Sequence, residues 1–228
     1  MPRETEIKLK IMDTQELLRR LKKLGARPIG SGSACVHQDN VIFDTPQGGL
    51  AKHGQLLRIR TETPQANHHK KPGETGRRFL LTFKRPVAKA SGANPEAIPG
   101  TRHKVREELE LAIGDAPTLS AIFEGLGMSG WFRNEKYRTT YTLPGSQKWA
   151  KGLLIELDET PIGTFVELEG PAEAIDRAAA NLGFSKRDFI LKNYLVLYVE
   201  DCKKRGEEPR HMIFSDSKNH SKSPSRKK

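Results

Sequence analysis

The 228-residue sequence predicts an α+β fold, mainly antiparallel β, in which about eight strands close on themselves and helices pack outside. Three observations carry this expectation. Strand-length segments of alternating character recur from residue 4 to residue 170, too many and too regular to decorate a helical protein. The few helix-length segments between them carry apolar stripes suited to covering a sheet. The polar positions of the alternation are filled by Lys, Arg, Glu and Asp, with little of the Ser, Thr, Asn and Gln that a merely wet face carries.

The first strand is ETEIKLKI, residues 4–11. DTQELLRRLKKLG then reads as a helix: Asp13 is placed to cap it with Glu16 three residues on, Leu17, Leu18, Leu21 and Leu24 form its stripe, and Gly25 ends it. VHQDNVIFDT is a strand that turns at Pro46-Gln47-Gly48-Gly49, and QLLRIRTE is the next, followed by a polar loop from Thr63 to Arg77. RFLLTFKRP and HKVREELEL are strands separated by a Gly-, Pro- and Ala-rich connection around residues 87–101. APTLSAIFEGLG spaces Leu119, Ile122, Phe123 and Leu126 as a short helix does. NEKYRTTYTL, KGLLIELDET and GTFVELEG complete the strands. A third helix starts at Pro171 and a fourth spans about Ile190 to Lys204.

Split by parity, the strands share one arrangement. Glu4, Glu6 and Lys8 oppose Thr5, Ile7 and Leu9; Arg58 and Arg60 oppose Leu57 and Ile59; Lys84 opposes Leu81 and Phe83. Lys104, Arg106, Glu108 and Glu110 share a side, as do Lys136 with Arg138, Glu156 with Asp158, and Glu167 with Glu169. On one strand such a face is simply solvated. Repeated on seven, with acids and bases largely segregated by strand, it differs from the interleaved signs of a solubility surface. With helices covering the apolar sides, the charged sides turn inward, and a barrel of about eight strands is wide enough inside for side chains and a small ligand. An interior of both signs suits a phosphate chain with a hard divalent cation: carboxylates hold the metal, while Arg and Lys bind the remaining oxygens.

The net charge of +11 fits an anionic partner without choosing one. Part of it belongs to residues 205–228, where seven Lys and Arg face three Asp and Glu in a Ser- and Lys-rich stretch expected to be a disordered tail following a single domain over residues 1–204. No leader-like or membrane-spanning apolar run is present, and Cys35 and Cys202 define no metal or redox spacing, so a soluble protein of a reducing, cytoplasmic compartment is expected. Aromatic residues are sparse on the basic strand faces, which argues against nucleic acid as the main partner. Gly30-x-Gly32 opens no helix and reads as a loop; HHKK at 68–71 reads as a solvated loop; Trp131-Phe132 and Trp149 read as packing residues; Asp44 and Thr45 read as a structural turn.

Glu4-Thr5-Glu6-Ile7-Lys8 resembles the ExExK signature of the CYTH domain, or triphosphate tunnel metalloenzyme, superfamily. QDNVIFDTP, LLRIR, LTFKRP, VREELE, EKYRTTY, ELDETPIGTFVELEG and LKNY follow in that family's order over roughly residues 4–198. The resemblance implies an eight-stranded tunnel that binds a triphosphate with Mg²⁺ or Mn²⁺. It also implies roles. Glu4, Glu6, Asp158, Glu167 and Glu169 match metal ligands, and Glu108 and Glu110 match acids that order the metal end. Lys8, Arg58, Arg60, Lys84, Arg106, Lys136 and Arg138 match phosphate-binding residues. Lys192 matches a lysine near the reactive end that orients or deprotonates water. Members of the family include triphosphatases, which attack the terminal phosphorus with water, and class IV adenylyl cyclases, which close ATP to cyclic AMP. The resemblance leans towards triphosphate hydrolysis, with cyclisation as the alternative and non-catalytic polyphosphate or nucleic-acid binding behind both. It leaves the organic end of the substrate and the oligomeric state open.

Overall fold

The computed structural model of the chain describes residues 2–29, 35–65, 76–87 and 102–215. Within these residues the strands are β1 (Arg3–Ile11), β2 (Arg27–Pro28), β3 (Cys35–Asp44), β4 (Leu56–Pro64), β5 (Arg78–Pro86), β6 (Lys104–Ile113), β7 (Ser129–Thr142), β8 (Leu154–Thr160) and β9 (Gly163–Glu169). The helices are α1 (Thr14–Lys23), α2 (Gly49–Lys52), α3 (Ala116–Gly125), α4 (Ala172–Asn181) and α5 (Tyr194–Arg205). The strands are ordered β2-β7-β3-β4-β5-β6-β1-β9-β8, and β8 pairs again with β7. Eight antiparallel strands therefore form a closed barrel, and the two-residue β2 extends its rim on β7.

The apolar rows decide which face turns outward. Ile7, Leu9, Ile155, Leu157, Val166 and Leu168 pack under Leu17 and Leu21 of α1 and under Ile175, Ala178 and Leu182 of α4. Each such buried side chain contributes about 1.5–3 kcal/mol. Reversing the sheet would forfeit that and put aliphatic groups into the charged interior. On the other side of the barrel Phe123 of α3 meets Phe43 edge-on, ring centroids 5.2 Å apart, beside Ile59. Helix cover is incomplete: Leu109 and Leu111, on the outer face of β6, remain 45% and 62% exposed.

Helix starts and stops follow local chemistry. The Asp13 carboxylate accepts the Glu16 N–H at 3.0 Å. The reciprocal half of the expected capping box is absent because Glu16 pairs with Arg20 at 2.7 Å instead. Gly25 ends the turn at φ +72, a conformation that costs glycine nothing. The last helix begins four residues later than expected. Ile190 is extended and exchanges backbone hydrogen bonds with Lys8 (3.0 and 2.9 Å), and the Asn193 side chain caps α5 through the Val196 N–H.

Beyond α5 the chain departs from the tail expectation as far as residue 215. Met212 is fully buried with Phe132, Tyr198 and Cys202. Its N–H donates to the Arg133 carbonyl at 3.0 Å, and its carbonyl accepts the Glu135 N–H at 2.8 Å. Helix α5 is thus fastened at one end to β1 and at the other to β7. The remainder of the tail, residues 216–228, lies outside the described residues, as do the 68–71 HHKK stretch and Gly30-x-Gly32. Strand β7 starts five residues earlier than expected and carries a bulge: Phe43 lies opposite Gly130 and Ile42 opposite Phe132, which leaves Trp131 as the extra residue. Among the described residues no helix is long and apolar enough to cross a membrane.

Candidate active site

A cavity of about 650 Å³ occupies the barrel interior. Its wall contains every residue that the sequence reading assigned to metal or phosphate except Asp158, and Lys192 is also missing from it. The strands deliver these side chains because alternate positions of β1, β4, β6, β7, β8 and β9 share the inner face. Glu4, Glu6 and Lys8 accordingly face the cavity and not bulk water. Lys8, Lys104, Arg106, Lys136, Glu156 and Glu167 are all more than nine-tenths buried, so their charges are compensated by one another and not by solvent.

Two charge groupings can be distinguished. At the α5 end, Asp158 is fully buried and accepts from Lys136 Nζ at 2.8 Å, from Arg138 Nε and Nη2 at 2.6 Å, and from the Tyr194 hydroxyl at 2.6 Å. Arg138 also pairs with Glu156 and with Glu167, while Lys8 bridges Glu6 and Glu167 at 3.1 Å each. The Tyr194 ring lies 5.3 Å from Lys8 Nζ and 5.0 Å from Lys136 Nζ, a cation–π arrangement that holds both ammoniums at the cavity wall. In the second grouping, Lys84 pairs with Glu4 at 2.6 Å and with Glu108 at 3.0 Å, Lys104 pairs with Glu6 at 3.2 Å, and Thr82 links Arg58 to Glu110. Arg60 is held by Asn40 at 2.9 Å.

The charges shift one another's protonation. Burial and the adjacent Arg60 lower Arg58 to about 9, and burial with Arg138 lowers Lys136 to about 8. Lys8 and Arg138 move the opposite way, raised against burial by the acids beside them. The carboxylates divide. Burial opposes ionisation of Glu6, yet Lys8 and Lys104 draw it well below the usual range, and Lys136 with Lys8 does the same for Glu167. Glu169 has no such partner close by: burial, then Glu156 and Glu4, push it up to about 8. Glu4 and Glu156 are also raised, chiefly by burial.

Several expected roles need revision against this geometry. Asp158 is not part of the cavity lining and is engaged by two cations and a phenol, so it positions Lys136 and Arg138. Glu156, two residues earlier on the same face, lines the cavity instead. Parity had placed the two together and could not rank them. Lys192 sits just ahead of the helix cap, is 53% exposed and pairs with Glu200 at 2.6 Å, because the chain turns inward only at Tyr194. Arg106 borders the cavity but donates to the Gly54 and Lys84 carbonyls, fastening the α2 turn. Asp44, as expected, is structural and accepts the N–H groups of Thr45, Leu50 and Ala51. Phe132 and Trp149 pack against apolar clusters as expected, but Trp131 lines the cavity and is 43% exposed. Tyr194 and Trp131 escaped the sequence reading because one starts a helix and the other sits in a bulge, where alternation carries no information.

The donor set suits a hard divalent cation. Every acidic group at the wall is a carboxylate, with no thiol or imidazole among them. Among the described residues no three acids converge as a ready-made cage. Burial, with neighbouring carboxylates behind it, nevertheless raises Glu4, Glu156 and Glu169, and a cation beside them would favour their charged forms.

The sequence profile of the CYTH domain matches residues 2–188. A Methanocaldococcus jannaschii protein provisionally named an adenylate cyclase is 28% identical over 200 residues, 85% of this chain and 97% of its own length. The solved structure of a conserved hypothetical Pyrococcus furiosus protein is similar at 26% identity and TM-score 0.58, covering 85% of this chain and 99% of that one. A Vibrio parahaemolyticus structure, also provisionally named an adenylate cyclase, shares the fold at 17% identity and TM-score 0.62, with 84% and 94% covered.

Proposed function

Since this chain belongs to the CYTH domain family, whose members act on triphosphates and are generally divalent-metal dependent, we propose that it hydrolyses a triphosphate inside its barrel with Mg²⁺ or Mn²⁺. The observation that carries the reading is the pairing of unlike charges in one cavity. Buried Lys and Arg side chains are held beside carboxylates, among which burial and then Glu156 and Glu4 push Glu169 up to about 8. A phosphate chain with its cation is the small ligand that uses both.

In this reading Arg58 and Arg60 grip phosphate oxygens through their guanidinium forks, and Lys8, Lys84 and Lys136 add ammonium charge. Glu4, Glu6, Glu167 and Glu169 hold the cation, with Glu108 and Glu110 setting the lysine and arginine opposite them and Glu156 joining Glu167 in orienting Arg138. A bound divalent cation neutralises phosphate charge and lowers the pKa of the attacking group. Lys136, brought to about 8 inside a dry wall, is able to move a proton near neutral pH. Asp158 and Tyr194 hold it at the cavity wall.

Cyclisation of ATP is the second reading, favoured by the name of the Methanocaldococcus jannaschii relative. The full chain should be incubated with inorganic triphosphate, thiamine triphosphate and ATP, each with Mg²⁺ or Mn²⁺, and assayed for phosphate, pyrophosphate and cyclic AMP. Phosphate without cyclic AMP is expected; pyrophosphate matched by cyclic AMP would establish the cyclase. Glu4→Gln and Glu6→Gln should each lose metal-dependent turnover while circular dichroism is unchanged. Near-normal turnover in either would remove that residue from the metal site.

A further inference from the structure

We infer that Trp131 is the platform for the organic end of the substrate, and that this end is a planar heteroaromatic ring; the inference rests on the triphosphate reading of the cavity. The geometry begins with the bulge in β7. Residues Asn134, Lys136 and Arg138 face the interior, so unbroken alternation would send Trp131 outward with Arg133. The extra residue between Gly130 and Phe132 resets that alternation and puts Trp131 and Phe132 in sequence against the interior. Gly130 makes the bulge possible: a Cβ there would stand 2.8 Å from Val41 Cγ1.

The two aromatic residues then diverge in use. Phe132 is 2% exposed and sealed among Ile42, Tyr198 and Met212, whereas Trp131 keeps 43% of its surface open while bordering the cavity. Its ring centroid stands 5.8 Å from that of Phe132, so a rigid aromatic backs it. The cavity lining also includes the apolar Ile42, opposite Phe132 on β3, with Leu56 and Leu195, and the Asn193 side chain is already spent on capping α5. The phosphate-gripping residues lie in the same continuous cavity. A flat, apolar-faced seat joined to a polyanion clamp fits a ring carried on a triphosphate, and it fits inorganic triphosphate less well. Stacking tolerates different rings because each offers a π-face, so the site selects aromatic from non-aromatic more than one base from another.

The test uses the full chain and the ratio of kcat/KM for ATP, or for thiamine triphosphate, to that for inorganic triphosphate. Trp131→Ala should lower that ratio about tenfold or more, and Trp131→Phe should retain most of it. The larger of the two losses identifies whether a purine or a thiamine-type ring is seated. Equal changes for all three substrates overturn the inference while leaving the triphosphatase reading intact. A second measurement does not need turnover. In a Trp149→Phe background Trp131 is the sole tryptophan, and a non-hydrolysable ATP analogue should quench its fluorescence while tripolyphosphate does not. If no triphosphate is turned over, the function proposed above fails, and the quenching alone decides the platform. Absence of quenching, or equal quenching by both ligands, overturns it.

Discussion

Asp158 holds two buried cations in place without itself lining the cavity. It answers two cations and a phenol at once, so Asp158→Asn leaves Lys136 and Arg138 with an uncompensated excess in a dry wall. The expected loss is about 3–5 kcal/mol of folding stability, read by chemical denaturation. A loss under 1 kcal/mol would mean that Glu156 and Glu167 suffice for Arg138. Glu169 shows the opposite behaviour. Its pKa of about 8 in the fold, against an ordinary 4.5, means that the folded state binds the proton more tightly than the unfolded chain. Its contribution is therefore greatest below about pH 4.5 and declines as pH rises towards 8. Glu169→Gln, which fixes the neutral form, should raise Tm in metal-free buffer at pH 8.5 by about 2–4 °C, the shift expected for roughly 1 kcal/mol after discounting partial exposure. The difference should vanish near pH 4.5, and an unchanged Tm at pH 8.5 would show that solvent already relieves the crowding. These residues mark the limit of parity as evidence. Alternation assigned Glu156, Asp158 and Glu169 to the inner face correctly, but only the third dimension tells which acid is saturated by neighbours and which is left crowded.

At the scale of elements, the strands were legible because seven of them repeat one alternation, and α1, α3 and α4 were legible from their stripes. The segment after α5 was not. His211-Met212-Ile213-Phe214 is a short apolar run inside a basic, serine-rich stretch, and composition averaged over the stretch hides it. Yet Met212 is fully buried in one cluster with Phe132, Tyr198 and Cys202. Met212→Ala should cost about 2–5 kcal/mol by denaturant unfolding, the range for a buried large-to-small change. Truncation after Gly206 should lower stability at least as much, whereas truncation after Ser215 should preserve it. Equal stability of the two truncations would show that residues 207–215 contribute nothing to the fold.

Across the whole molecule, the net charge of +11 says less than its distribution, because the interior pairs its acids and bases with each other. In the proposed function a triphosphate alone competes with Glu4 and Glu6 for their lysines, and a metal alone competes with the lysines for those carboxylates. Together they satisfy both. Tripolyphosphate and Mg²⁺ added jointly should therefore raise Tm by more than the sum of their separate shifts, measured at concentrations well above binding. Additive shifts would mean that the two ligands do not meet in the cavity. Closure of the barrel was foreseen from the charged rows, which need an inside; the pairing that achieves it was not readable from local pattern. That pairing also has a temporal side. Strand β1 is made well before its partner β9, which follows roughly 160 residues later. At about 5–20 residues per second the wait is on the order of 8–30 s, during which Ile7, Leu9 and Ile11 lack their β9 ladder and have α1 alone as cover. The alternating lysines and glutamates of β1 then serve the nascent chain as well, keeping an orphaned strand from adhering to its neighbours on the polysome until its place in the ring exists.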